Sequence, residues 1–387
     1  MLQGTLAFLV VVALAVIGRE LRGVLIRRGL QSPALEGLFF LLIGLLLGET
    51  VLGLFPANIL GSLRVVVLLG LAWIGLVFGV QIEARIVRQL KPWHRRVGLG
   101  VPVLIGAVVT ACGLVLGVPA PLSIALGAIA TASSPAPLDA LARSRVPSDR
   151  GAFRLLRLVK AFAGIPAVVA FAVADAIGVQ ATDPGDLTAG LLLVYTVGIG
   201  LVMGYALLHL IRGVSDQIRL LTLVTGTLAA VAGTAAVLGT SGLPAAACAG
   251  AVVINRCSFP NRMLRAVHVL EMPMLVALLV LVGASWSGVA FSWRAFAVMT
   301  VGRSVAVLLG GRLLAAAARR NRAPLSTPWL GGGLLAQGGL ALGLLVATVT
   351  VVEGTDGVLE AVIAAMIANN VVAQLWVRRF LFPRSRA

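Results

Sequence analysis

The chain has 387 residues, of which 59% are hydrophobic and only 12% are charged, and its mean hydropathy is +1.05. No soluble domain of this length has that balance, so the composition predicts an all-α polytopic membrane protein within the lipid bilayer. The net charge of +17 would suggest a nucleic-acid partner in a soluble protein. Here the basic residues lie between hydrophobic segments, where they orient helices in the membrane, so we expect no nucleic-acid binding.

Hydrophobic windows predict thirteen membrane-spanning helices joined by short linkers. Their expected bounds are 4–27, 35–53, 62–83, 94–117, 121–142, 151–178, 187–211, 216–239, 243–260, 265–288, 292–318, 327–351 and 357–380. We expect one transmembrane transporter domain over the whole chain, with no soluble regulatory domain. Most of the 31 Lys and Arg residues fall in loops on one side. The positive-inside rule then predicts an outside N-terminus and a cytoplasmic C-terminus, and we expect the plasma membrane as the location.

The fifth predicted span is interrupted in its middle. Thr131, Ser133 and Ser134 add hydroxyl groups there. Pro135 and Pro137 each remove a backbone donor, so an unbroken helix is not expected through this stretch. Carbonyls freed inside a membrane are tolerated only against protein or a water-filled cavity, which is the design of secondary transporters. The alternative is a proline kink without a function.

Similar features recur at an offset of about 204 residues, which predicts an internal repeat. Gly79 corresponds to Gly283, and the break in the fifth span corresponds to a glycine-rich stretch around Gln337 in the twelfth. The offset moves each helix seven spans along the chain, and because seven is odd the two halves must run in opposite directions. The alternative is chance similarity between hydrophobic helices. The expected parts are repeat one at about 1–178, a connector helix at about 187–211 and repeat two at about 216–380.

Six short motifs, spread over nearly the whole chain, carry a family resemblance. They are LLIGLLLGE at 41–49, LAWIGLVFGVQIE at 71–83, TASSPAP at 131–137, GLPAAACAGAVVIN at 242–255, EMPMLVALLVLVGAS at 271–285 and GLLAQGGLALG at 333–343. In this order they resemble the monovalent cation:proton antiporter superfamily of the sodium/proton exchanger type. The resemblance implies two inverted six-helix repeats with crossed interrupted helices, a dimerisation domain beside a core domain, and a homodimer. It also implies exchange of Na⁺ or K⁺ for protons by alternating access.

The chain departs from the family at one position. The family's core helix after the first break carries an essential Asp, whereas the matching stretch LVKAFAGIPAVV places Ala161 there and Lys160 just before it. Lys160 either extends to the cytoplasm along its helix or stays in the bilayer, where a lysine can carry a proton in place of a carboxylate. The resemblance and this substitution together place an ion site at Thr131, Ser133, Ser134, Lys160 and Gln337.

Three further polar residues lie within predicted spans. Arg303 is midway between Arg294 and Arg312, which puts it near the membrane midplane, where it needs hydrogen-bond partners. We interpret Arg303 as support for the core. Asn369 and Asn370 lie in the middle of the last span, where amides bond between helices or, alternatively, contact the ion.

The sequence therefore favours a secondary transporter that exchanges a monovalent cation for protons. An anion or other small-solute transporter suits two buried cations better on physical grounds, and a non-transporting scaffold or sensor is a further alternative. No nucleophile–base pair or metal constellation is found, so we expect no enzyme, metal site or cofactor. The acidic residues do not balance the buried cations, because they map to span ends: Glu49, Glu83, Asp139, Asp175 and Glu271.

Overall fold

The computed structural model describes residues 33–49, 52–55, 61, 63–135, 138–139, 142, 146–182, 188–214, 216–285, 291–323, 330–352 and 354–382. Over these residues the chain forms helices joined by short loops and has no strands, as the composition predicts. The first predicted span, 4–27, lies outside the described residues.

The helices follow the predicted spans closely. They are α1 (Pro33–Leu47), α2 (Arg64–Gly79), α3 (Ala84–Gln89), α4 (Pro92–Val115), α5 (Ala120–Thr131), α6 (Arg150–Phe162), α7 (Gly164–Thr182), α8 (Ala189–Leu210), α9 (Gln217–Val237), α10 (Gly242–Arg256), α11 (Pro260–Ala284), α12 (Trp293–Arg320), α13 (Gly339–Val351) and α14 (Val358–Trp376). Helices α6 and α7 form one span, and a 3₁₀ turn at Leu330–Leu334 precedes α13. In the described part of the chain, seven helical spans are long and apolar enough to cross a membrane, so this is a multi-pass membrane protein.

Capping side chains fix where some of these helices begin. Asp149 starts α6 by accepting a hydrogen bond from the Ala152 N–H at 2.8 Å. Asp216 starts α9 in the same way, with the Arg219 N–H at 3.0 Å, and this bond holds the pKa of Asp216 below its ordinary value. The start of α6 matters for the site, because α6 carries Lys160 in its last turn.

The helices pack as two units. The core unit consists of α4–α7, α12, the 3₁₀ turn, α13 and α14, and it buries one continuous hydrophobic cluster. The panel consists of α1, α2 and α8–α11, and it buries a second cluster around Trp73, Leu228 and Val253. Faces of α1, α2 and α11 also join the first cluster, so the panel lies directly against the core unit.

Gly79 and Gly283, which the repeat pairs with each other, each lie where two helix backbones touch. A Cβ at Gly79 would overlap the carbonyl oxygen of Ala247 on α10, and a Cβ at Gly283 would overlap that of Leu41 on α1. Small residues permit such close approach between membrane helices. The α2–α10 and α11–α1 contacts are thus equivalent in the two halves, which agrees with the inverted repeat that the sequence predicts.

We expect Gly79→Ala to destabilise the panel, because the new methyl group has no space beside Ala247 on α10. Overpacking of this kind costs about 1–3 kcal/mol, which thermal unfolding of the detergent-solubilised protein will show as a lower Tm. Gly226→Ala on α9 is the matched control, because nothing lies within 4 Å of its Cβ position. Equal Tm values for the two variants would contradict the close contact.

Candidate functional site

Two non-helical segments cross at the centre of the core unit. Helix α5 ends at Thr131, and the chain continues extended through Ser133. Ser133 forms an isolated antiparallel bridge with Gln337, and the Ser134 N–H donates to the Ala336 carbonyl at 3.2 Å. The structure thus confirms the prediction of crossed interrupted helices. Pro137 lies outside the described residues.

Arg303 joins the two broken segments. Its side chain is fully buried, and Nε donates to the carbonyl of Ala130, the penultimate residue of α5, at 3.0 Å. Nη1 donates to the Leu335 carbonyl at 2.7 Å and Nη2 to the Leu334 carbonyl at 3.3 Å. The three acceptor carbonyls lie at or next to the C-terminal ends of α5 and of the 3₁₀ turn, which carry partial negative charge, so carbonyl dipoles compensate the buried guanidinium. The contacts place Arg303 between the two broken segments, and its role as support for the core stays a prediction.

Amide side chains make further hydrogen bonds at and beside the crossing. The Gln337 Nε2 donates to the Ile129 carbonyl at 2.7 Å, and the Gln337 N–H donates to Asn370 Oδ1 at 3.1 Å. Asn369 Nδ2 donates to the Met299 carbonyl on α12 at 2.8 Å. Both asparagines therefore bond between segments of the core unit. Gln337 Oε1 is buried and has no hydrogen-bond partner among the described residues.

Thr131 is part of the crossing but its hydroxyl is occupied elsewhere. The Oγ1 donates to the Gly127 carbonyl in its own helix at 2.8 Å and lies 3.3 Å from the Pro102 carbonyl of α4. The Ser133 hydroxyl, in contrast, donates to the Leu334 carbonyl across the crossing at 3.2 Å. Of these two hydroxyls, only that of Ser133 joins the two broken segments.

Lys160 is buried beside the crossing, and its side chain does not extend along the helix to the protein surface. Only 2% of it is exposed, and Nζ donates to the Ser134 carbonyl at 3.0 Å. Lys160 and Ser134 line a cavity of ≈ 230 Å³ between the core unit and the panel, which we term the Lys160 cavity. Ala161, where the family that the sequence resembles carries Asp, also lines it, and on the panel side the lining includes Gln81 and Glu271.

The Lys160 cavity is lined by groups of both charge signs. The N-terminal end of α13, at Gly339, lines the cavity and carries partial positive charge, and the Lys160 ammonium adds a full positive charge. The carboxylate of Glu271 also lines the cavity, but it is bonded to His268 at 2.6 Å. Asp139 pairs with Arg157 at 3.1 Å, one turn before Lys160 on α6.

Sequence reasoning did not connect Glu271 with the site, because it placed that residue at the end of a span. The folded chain brings it to the cavity of Lys160, more than 100 residues earlier. Nothing in the local pattern EMPMLVALL indicates which helix this carboxylate will face.

Comparison with known proteins gives a match in structure. No protein-family model matches the sequence, and no curated protein does. The fold is similar to that of the sodium proton antiporter MjNhaP1 from Methanocaldococcus jannaschii, with a TM-score of 0.63 and 16% identity. The match covers 97% of this chain and 96% of that one. At such low identity the likeness concerns the fold, so this chain has the sodium/proton antiporter fold that the sequence predicts.

We expect Arg303→Met to be strongly destabilising, because it leaves three buried carbonyls without this donor. The cost is about 2–5 kcal/mol in the free energy of unfolding. Arg303→Lys is expected to restore only part of it, since one ammonium cannot reproduce the guanidinium fork. Thermal unfolding in detergent measures both.

Arg312→Met is the control for this experiment. It makes the same change on the same helix at an exposed position, and we expect its Tm to stay close to that of the unmodified protein. A similar Tm for Arg303→Met and Arg312→Met would show that Arg303 does not hold the crossing together.

Proposed function

We propose that this protein is a secondary active transporter that exchanges a monovalent cation, Na⁺ or K⁺, for protons by alternating access. One observation carries the proposal. The Lys160 ammonium is bonded to a backbone carbonyl of the crossing inside a cavity between two helical units. The likeness of the fold to a sodium proton antiporter supports the same reaction class.

Competition for the Ser134 carbonyl would couple the two ions. Protonated Lys160 occupies that oxygen at 3.0 Å. Once the amine loses its proton, the Ser134 carbonyl becomes available as an oxygen ligand for a dehydrated cation. The Ser133 hydroxyl oxygen, which donates its hydrogen to the Leu334 carbonyl in either state, would be a second ligand. The site then holds one positive charge in either state, as an ammonium or as a bound cation. Because the two states exclude each other, the cation enters only as a proton leaves.

A second cavity supports alternating access. It has a volume of ≈ 260 Å³, and its lining includes Arg64, Ser241, Ser285 and Thr350. We term it the Ser241 cavity. Arg64 begins α2, whereas Gln81 of the Lys160 cavity follows its end, so the two cavities lie at opposite ends of this panel helix. Both lie between the panel and the core unit, and a movement of the core unit along the panel would expose the crossing to each side in turn.

Transport of an anion is the second candidate. The observation in its favour is that the N-terminal end of α13 and the Lys160 ammonium, which both attract negative charge, line the same cavity. In this mechanism Lys160 would stay protonated and bind the anion directly.

We further propose a homodimer in the plasma membrane, with the N-terminus outside and the C-terminus cytoplasmic. The family resemblance supports the dimer. Basic residues in the last turns of α10 and α12 and in the first turn of α4 support the orientation, because the loops that they flank would all face the cytoplasm.

Proteoliposomes that contain a pH-sensitive dye test the proposed function. We expect an imposed Na⁺ or K⁺ gradient to move protons in the opposite direction. If proton movement and ion flux depend only on the anion that is present, the result would favour the second candidate, anion transport, over cation exchange. No flux under any ion gradient would overturn both and leave a non-transporting scaffold or sensor.

Lys160→Ala tests the proposed proton carrier. We expect it to abolish proton-coupled exchange, because the cavity loses the group that takes up and releases the proton. The matched control is Arg157→Ala, which removes a positive charge one turn earlier on α6, where the side chain is 60% exposed. Exchange that remains unchanged in Lys160→Ala would rule out Lys160 as the carrier.

A further inference from the structure

Asp175 on α7 is a buried carboxylate that the crossing does not use. The sequence places it at a span end, but only 2% of it is exposed in the folded chain. Its Oδ2 accepts a hydrogen bond from the Ser241 N–H at 2.8 Å. Its Oδ1 is also buried and has no hydrogen-bond partner among the described residues. A buried carboxylate oxygen in that situation is costly unless it binds a proton or another cation.

No basic side chain accounts for this carboxylate in the part of the chain that the structure describes. Helices α5 and α13, which pack against α7, contain no charged residue. The other helices against α7 carry their charged and histidine side chains at the ends away from Asp175. These groups are His94, Arg95 and Arg96 on α4, Arg150, Arg154, Arg157 and Lys160 on α6, His209 on α8 and Arg256 on α10. Tyr195 on α8 is half exposed, and Arg64 lies across the Ser241 cavity.

The bond between Asp175 and Ser241 connects the core unit to the panel. Ser241 immediately precedes α10 and lines the Ser241 cavity. A few residues further along α7, Val179 lies beside Gly239, with its Cγ1 3.7 Å from the Cβ position of that glycine. These contacts close the interface on the side of the Ser241 cavity, while the Lys160 cavity lies at the other end of α2.

The geometry points to Asp175 as a second proton-binding residue of the transport cycle. Its ionised carboxylate holds the core unit against the panel at Ser241, and its protonation releases that contact and opens this side of the protein. The inference rests on the proposed alternating access and adds to it a gate that protons control from the side opposite Lys160.

The direction of the pH effect follows from the hydrogen bond between the Ser241 N–H and Asp175. An ionised carboxylate accepts from an N–H more strongly than a neutral carboxyl group does, and it also interacts favourably with the N-terminal end of α10. A proton on Oδ1 removes the charge and weakens both interactions. Acidification should therefore loosen the contact between α7 and the start of α10, and this loosening would connect the Ser241 cavity with the crossing.

Hydrogen exchange resolved to single amides tests the gate in the unmodified full-length protein. We expect the protection of the Ser241 amide to fall as the pH is lowered, after correction for the intrinsic exchange rate. The expected loss is roughly fivefold, the difference between a charge-assisted and a neutral hydrogen bond. The Leu191 amide is the internal reference, because the Thr188 hydroxyl that caps it does not titrate. Equal pH responses of the two amides would overturn the inference.

Asp175→Asn supplies the matching variant, since it keeps an acceptor oxygen but cannot ionise. We expect the Ser241 amide to be weakly protected at every pH in this variant, without the pH response of the unmodified protein. Asp149→Asn makes the same change at the start of α6, where Asp149 caps the helix, and should leave the response of Ser241 intact. A retained pH response in Asp175→Asn would assign the titration to another group and refute the proposal.

Flux measurements separate this inference from the proposed function. If the unmodified protein exchanges ions, the exchange rate of Asp175→Asn should no longer depend on the pH at the Ser241 side. An unchanged pH profile in Asp175→Asn would count against the gate. If the unmodified protein shows no flux, the proposed function fails, and the hydrogen-exchange comparison still decides whether a proton controls the contact at Ser241.

Discussion

Three hydrogen bonds from Arg303 are the constraint on which the core unit depends. Two helices that stop inside a membrane leave carbonyl groups that water cannot reach, and each would be costly without a donor. Arg303 reaches carbonyls on both sides of the crossing, and Gln337 and Ser133 supply further donors. The same bonds stabilise the charged guanidinium through carbonyl dipoles, so the crossing holds a buried arginine without a carboxylate partner among the described residues.

The absence of a carboxylate from the described residues of the crossing bears on how the proposed site would work with Ala161 where the family that the sequence resembles carries Asp. The carbonyls at the C-terminal ends of the broken segments are occupied by Arg303 and Gln337, whereas the Ser134 carbonyl is bonded to Lys160. Lysine can give up its proton far more readily than arginine, so one cation is suited to structure and the other to exchange. Asp175 lies at the opposite end of the span that carries Lys160, at a contact between the two helical units.

The sequence by itself determined the fold to a large extent. Hydropathy gave the spans, because a membrane helix must be apolar along about 20 consecutive residues. Proline near Ser133 and glycine near Gln337 located both breaks, since these residues alter the backbone at their own positions. The matched glycines Gly79 and Gly283 indicated the inverted repeat. All these signals are local in the chain, and for that reason they can be recognised without a structure.

Only the tertiary structure decided which polar groups meet. Lys160 could equally have extended to the membrane surface, and its bond to Ser134 depends on how α6 lies against the crossing. The sequence placed Asp175 and Glu271 at span ends, yet the first is buried against Ser241 and the second lines the Lys160 cavity. These partners lie 26 to 111 residues apart in the chain. The rotation and crossing of packed helices, which hydropathy does not encode, determine whether a polar side chain at a given position faces lipid, water or another polar group.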